Sequence, residues 1–205
     1  MLYVKCLSVG MLDTNCYIVY NNLNNAVIID PGADSAGIIK NIDKLKLKPA
    51  CVIFTHAHFD HIGAGNDICS YYNCYALVNI NDEMLFTDGH LNLSQGFFGK
   101  DITFTNEYKT FDDGDIIKLI GESFRFISTP GHTNGSCCVE VGNLLFTGDT
   151  LFRLGIGNAF PPYGNTSLEI SSIKDKLFVL DDHICYPGHG DATTLFFEKK
   201  NNPYF

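Results

Sequence analysis

Cations are scarce in this sequence. Lys and Arg number 14 among 205 residues, against 23 Asp and Glu, which gives a formal net charge of −9 and a pI near 5.1. A nucleic-acid partner needs a basic face to neutralise phosphates. The one Lys-rich stretch, 40–48, alternates with Ile and Leu at helical spacing, as a solvated helix face does, so no nucleic-acid partner is expected. Long apolar runs are missing too. No segment approaches the length that spans a bilayer, and no membrane partner is expected. The first ten residues, MLYVKCLSVG, lack the basic start, apolar core and small-residue cleavage site of a signal peptide. They read as a first strand, and a cytoplasmic location is the expectation. C-x-x-C pairs are also absent. The eight cysteines fall mostly in apolar strand-like runs, so they read as reduced core thiols. With no repeat, low-complexity segment or linker, residues 1–205 are expected to form one domain.

What is present alternates between strands and helices. Apolar runs near 2–9, 14–20 and 26–30 break at Gly, Asn or Pro, as strands do, with a hairpin connection over Asn21–Asn25. A helix capped by Asp34 or Ser35 runs towards Lys48 and stops before Pro49. A buried strand, Cys51–Phe54, follows, then a helix over Asn66–Tyr72, strand Tyr75–Val78 and a short helix at Asn81–Thr87. The second half has strands near Ile116–Ile120, Phe124–Ser128, Cys137–Val141 and Leu144–Thr147, a helix at Ser167–Leu180 and a last strand, Ile184–Tyr186. Strands and helices in that order suggest an α/β fold of two stacked sheets with helices outside, although periodicity alone leaves the topology open.

The chemistry concentrates in Thr55-His56-Ala57-His58-Phe59-Asp60-His61. Three imidazoles and a carboxylate in six residues are nitrogen and oxygen donors suited to zinc, and also to iron or manganese. His56 and His58, two apart on an extended stretch, can grip one ion, while Asp60 and His61 at the turn can point at a second. Three further segments each place a donor just after a strand and beside Gly: Thr129-Pro130-Gly131-His132, Gly148-Asp149-Thr150 and Pro187-Gly188-His189-Gly190. Singly, each such residue reads as easily as a turn residue or a cap. Counted together they give His56, His58 and His132 for one ion and Asp60, His61 and His189 for the other. Asp149 lies between, as a shared carboxylate does in two-metal sites.

The H-x-H-x-D-H run, TPGHT, GDTLF and PGHG, in that order, resemble the metallo-β-lactamase superfamily, and more narrowly its hydroxyacylglutathione hydrolase (glyoxalase II) branch. The resemblance runs from Thr14-Asn15-Cys16-Tyr17 through Asp30-Pro31-Gly32 to the end, and the last stretch is similar to the ending of the short, single-domain members. It implies a four-layer αββα sandwich and two divalent ions at one edge, usually zinc, with iron or manganese accepted. It also implies hydrolysis of a small-molecule S-acyl thioester, such as S-lactoylglutathione, by a metal-bridging hydroxide that Asp60 and Asp149 orient. The motifs hold no free general acid, which suits a thiol leaving group better than an amine. A mononuclear-iron persulfide dioxygenase of the same fold is the alternative.

Two departures bear on the substrate. The C-terminal helical domain that holds glutathione in longer members is expected to be missing. Neutral Asn158 also stands where the branch usually places Lys or Arg, and an amide cannot make the charge-assisted pair of a guanidinium. Arg153, Lys199 and Lys200 are the nearby cations that can substitute. Asn158, Phe160 and Tyr163 are the expected substrate contacts. Gly96-Phe97-Phe98 and Phe160-Pro161-Pro162-Tyr163 either wall the cleft or simply pack. His90 and His183, in polar turn-like contexts, are expected at the surface.

Overall fold

Residues 1–159 and 164–205 are described by the computed structural model. Strands β1 (Leu2–Val9), β2 (Thr14–Asn21) and β3 (Asn25–Ile29) form an antiparallel meander. Pairing then turns parallel. Helix α1 (Ser35–Lys44) returns the chain to β4 (Lys48–Ile53), and α2 (Phe59–Ile62) and α3 (Gly65–Tyr72) lead to β5 (Tyr75–Asn79). A 3-10 helix (Ile80–Phe86) and α4 (Ser94–Phe98) lead on to β6 (Tyr108–Phe111), which completes the first sheet.

The second sheet starts with β7 (Ile116–Leu119), β8 (Glu122–Ser128), β9 (Cys137–Val141) and β10 (Leu144–Gly148), all antiparallel neighbours. A small hairpin of β11 (Leu151–Phe152) and β12 (Gly155–Ile156) follows. Helix α5 (Thr166–Ser172) runs into a π-helical turn over Ile173–Leu177. Strand β13 (Ile184–Pro187) pairs parallel with β10, β14 (Thr193–Thr194) pairs with β13, and α6 (Leu195–Asn201) closes the chain. Strand order in this sheet is β14-β13-β10-β9-β8-β7.

The strand period of two sorts side chains into layers. In β3, Ala26 and Ile28 face one core while Val27 and Ile29 face another. The first core packs the sheet against Ile38 and Ile42 of α1 and Ile68 and Cys69 of α3. The second lies between the sheets, where Tyr17, Val27, Ile29 and Ile53 meet Phe124, Phe126, Val139 and Phe146. The third joins Ile127, Cys138, Leu145 and Cys185 to Ile173, Leu177 and Leu195. Three cores between four layers make the expected αββα sandwich. All eight cysteines are free thiols; six are buried, Cys74 is half-buried and Cys6 exposed. Among the described residues no helix is long and apolar enough to cross a membrane.

Several boundaries differ from the sequence reading. α1 stops at Lys44, and Pro49 lies inside β4. The pairing with β3 is irregular beside it, between Ala26 and Val27, where a residue without an N–H can be accommodated. The helix expected over Ser167–Leu180 is α-helical only to Ser172. His183 is not at the surface. It is buried, with Nε2 3.0 Å from Glu140 Oε1 and Nδ1 2.8 Å from the Asp181 carbonyl. The imidazole just before β13 reaches Glu140 of β9, whose other oxygen pairs with Arg125 at 3.2 Å. A polar local context does not carry that tertiary fact.

Candidate metal centre

Four strand ends converge. β4, β8, β10 and β13 all finish at one edge of the sandwich, and the segments after them carry His56 to His61, His132, Asp149 and His189. Backbone bonds lock these segments together: Cys137 N–H to the Thr55 carbonyl (2.9 Å), Gly188 N–H to Gly148 (2.8 Å) and Asn15 N–H to Gly188 (2.7 Å). Glycine is needed at 188, because a Cβ there would strike Asp149 Oδ1 and the His61 ring. Asp82, buried at the 3-10 helix, accepts from Ala57 N–H (3.0 Å), Thr133 Oγ1 (2.8 Å) and Gly135 N–H (2.7 Å). One carboxylate thus ties the His56–His58 segment to the His132 loop.

All seven expected donors meet here. His132 Nε2 lies 3.2 Å from His56 Nε2 and 2.9 Å from His58 Nδ1. Three imidazole nitrogens bound to one zinc at 2.0–2.1 Å in a tetrahedron would stand about 3.3 Å apart. On the other side, Asp60 Oδ2 is 3.5 Å from His61 Nε2 and 3.3 Å from His189 Nε2. Asp149 spans both trios, with Oδ1 3.4 Å from His61 Nε2 and Oδ2 3.6 Å from His132 Nε2 and 3.5 Å from His189 Nε2. His61 Nε2 and Asp149 Oδ1 are buried, face one another and have no hydrogen-bond partner among the described residues. Orphaned polar atoms of this kind are costly unless something satisfies them. The donor set fits two divalent cations, one held by His56, His58 and His132, the other by Asp60, His61 and His189, with Asp149 able to reach both.

The outer faces of the rings are held as well. His132 Nδ1 is 3.1 Å from the Asn158 carbonyl and His189 Nδ1 is 3.0 Å from the Leu12 carbonyl. A carbonyl only accepts, so Nδ1 of each ring carries a proton and Nε2 is the atom turned inward to the centre. Asp30 Oδ2 stands 3.0 Å from His61 Nδ1 and accepts from Thr55 Oγ1 at 2.7 Å. Thr14 Oγ1 donates to Asp60 Oδ2 (2.9 Å). Neither Asp30 nor Thr14 was singled out as a site residue from sequence, although both lie in segments that carry the family resemblance.

Burial splits the titrations. It drives His56 well below the usual imidazole range, His58 down to about 3, and His132 below its ordinary value. These rings are neutral, with lone pairs free. For His61 and His189 burial acts the same way but is outweighed by Asp60 and Asp149. His61 is held well above the usual range and His189 reaches about 10. Burial works against ionising the two carboxylates, yet the adjacent imidazoles hold Asp60 at about 2 and Asp149 well below its ordinary value. Beneath the site, burial lifts Glu169 to about 8. Its Oε1 accepts from Gly157 N–H at 3.1 Å while Oε2 has no partner among the described residues.

A cleft of about 460 Å³ opens over these donors. His58, Asp60, His132, Asp149 and His189 form part of its lining, with Leu12, Phe59, Leu91, Leu93, Phe97 and Phe152 as apolar walls and Asn158 and His90 as the other polar groups. His90 is exposed, as expected, but at this opening. Phe97 lines the cleft as one of the two readings had it. Leu12, Phe59, Leu91, Leu93 and Phe152 had not been singled out. The expected contacts Phe160 and Tyr163 lie outside the described residues.

The metallo-β-lactamase superfamily model matches residues 9–189. The chain belongs to that superfamily. It is 34% identical to hydroxyacylglutathione hydrolase GloC of Haemophilus influenzae over 206 residues, 98% of this chain and 97% of that one. Among solved structures it is similar to the BLEG-1 B3 metallo-β-lactamase, with a TM-score of 0.93 at 31% identity over 100% of this chain and 99% of the other. It is also similar to TTHA1623 in a di-iron-bound form, with a TM-score of 0.86 at 28% identity over 98% of this chain and 100% of the other.

Proposed function

We propose that this metallo-β-lactamase-superfamily protein is a dinuclear metal-dependent hydrolase of S-acyl thioesters, glyoxalase II-like, acting on S-lactoylglutathione or a related low-molecular-weight thiol ester. The observation that carries the reading is the pair of donor trios around Asp149, opening into a ligand-sized cleft. When bound, two divalent ions, zinc above all and iron or manganese as alternatives, would supply an activated water and polarise the acyl carbonyl. Asp60 and Asp149 would help hold those ions, and their carboxylate oxygens, facing the space between the trios, would accept from an attacking water and orient it. Among the described residues, the lining groups outside the donor set that carry polar side chains are His90 and Asn158. A thiol, with a pKa near 8.5, leaves as thiolate without protonation, whereas an amine does not. The likeness to GloC supports the same substrate class. The free cysteines suit a reducing, cytoplasmic setting.

The test follows S-D-lactoylglutathione loss by absorbance with purified protein, before and after chelation and after zinc or iron add-back, with nitrocefin in parallel. The reading expects turnover that chelation abolishes and metal restores. Nitrocefin hydrolysis without thioester hydrolysis by the same fully metallated protein would replace it with a lactamase. Oxygen consumption with glutathione persulfide would replace it with a dioxygenase.

A further inference from the structure

Among the described residues, the walls of the cleft carry apolar surface and neither Lys nor Arg. The neighbouring stretch 160–163 reads Phe-Pro-Pro-Tyr, with no charge of its own. The three cations singled out from the sequence make other contacts. Arg153 pairs with Asp191 at 3.1 Å, Lys199 donates to the Leu180 carbonyl at 3.0 Å, and Lys200 lies 4.0 Å over the Phe196 ring.

The apolar groups begin at the metal donors themselves. Phe59 sits between His58 and Asp60 in sequence and is buried, and its ring meets Phe97 at 4.8 Å and Phe98 at 5.3 Å. Outward of it, Phe97, Leu93 and Leu12 are 50, 38 and 36% exposed. Leu93 is held at φ 72°, a left-handed conformation that a branched side chain adopts at a cost. Large apolar side chains left in water around a cleft mark a surface that meets an apolar ligand.

From this juxtaposition we propose that the cleft selects a thioester with an apolar acyl chain and an uncharged carrier, and disfavours the anionic glutathione conjugate. The inference rests on the thioesterase reading for the bond that is broken, but the recognition it describes is a property of the walls. A carrier with two carboxylates finds no Lys or Arg among the described residues of those walls, and a net charge of −9 opposes its approach. An alkyl acyl group gains by leaving water at the phenylalanine and leucine surface, about fourfold in affinity for each methylene.

Two measurements on the fully metallated protein separate the two claims. The first is calorimetric titration with thioethers that cannot be hydrolysed, S-hexyl-N-acetylcysteamine and S-hexylglutathione. The neutral compound is expected to bind at least tenfold more tightly, Phe97→Ala to weaken it about tenfold, and Leu93→Lys to narrow the gap between the two. Equal affinities, or tighter binding of the glutathione compound, would overturn the proposal. The second is kcat/KM for acetyl, butyryl and hexanoyl thioesters of each carrier, expected to rise along the series on the neutral carrier. Flat dependence on chain length, or preference for the glutathione esters, overturns the cleft assignment while leaving the thioesterase intact. If no thioester turns over but the neutral thioether still binds preferentially, the thioesterase reading falls and the cleft assignment stands.

Discussion

At the scale of single residues, the carboxylates outside the donor set set the terms for the donors. Asp30 adopts φ 51°, and its Oδ1 and Oδ2 accept from Thr55 N–H and Oγ1. It therefore stands fixed against the outer nitrogen of His61. Outer-shell carboxylates of this kind typically carry 10- to 100-fold of metal affinity. Asp30→Asn keeps the volume and is expected to weaken binding by about that range, read by competition with a chromophoric chelator. Glu169 makes a separate prediction about pH. Its buried carboxyl is raised from 4.5 to about 8, so the neutral form suits the folded state. The stability it preserves is whole below pH 4.5 and is lost as pH rises through about 8. Glu169→Gln keeps the acceptor for Gly157 N–H and has no charge to lose. Metal-free Glu169→Gln should therefore melt close to the parent at pH 5 and clearly above it at pH 9. Parallel melting curves across that range would show that the carboxyl ionises freely in the fold.

At the scale of elements, the 3-10 helix Ile80–Phe86 anchors the centre although it supplies none of the seven donors. Asp82 satisfies three donors on two segments, and each buried donor left unpaired costs about 1–3 kcal/mol. Asp82→Ala should therefore lower unfolding free energy by about 3 kcal/mol or more and loosen His58 against His132. Urea melts measure the first effect and metal content after dialysis the second. A melt unchanged within 0.5 kcal/mol, the usual range for surface substitutions, would remove Asp82 from that role. This is also where the sequence stopped being legible. The donors themselves could be counted, because short-range spacing around Gly-containing strand ends places imidazoles and carboxylates in recognisable groups. Strands β2 to β5 and β8 to β10 were visible through apolar runs whose period matches a sheet buried on both faces. Asp82 reads locally as one acid in a short polar helix, and only the docking of β9 against the segment after β4 reveals its partners. The same reason hides His183 behind β9 and the aromatic contact of Phe59 with α4. The break in the α5 segment depends on packing over the second sheet, which propensity does not encode.

At the scale of the molecule, the centre bridges two sheets. His56, His58, Asp60 and His61 follow β4 of the first sheet, while His132, Asp149 and His189 follow β8, β10 and β13 of the second. Each donor trio takes residues from both sides. Ions held there are cross-links between the sheets, and binding to the folded state alone stabilises it by about 4 kcal/mol at a thousandfold excess over Kd. The protons set how this depends on pH. In the metal-free protein His56, His58 and His132 are neutral at pH 7, but His61 and His189 carry protons, with His189 at about 10. A metal takes only the deprotonated imidazole, so binding two ions must release about two protons. His189 is held at about 10, so each unit of rising pH below about 9 removes a tenfold penalty for its proton, and His61, held above its usual range, adds to the effect. Overall affinity is expected to rise at least tenfold per unit between pH 6 and 8. The melting temperature gained from a fixed metal concentration should climb over the same range. Calorimetry in buffers of different ionisation enthalpy counts the protons directly. A count near zero would mean that Asp60 and Asp149 face neutral imidazoles in the metal-free state, with the centre already set for its ions.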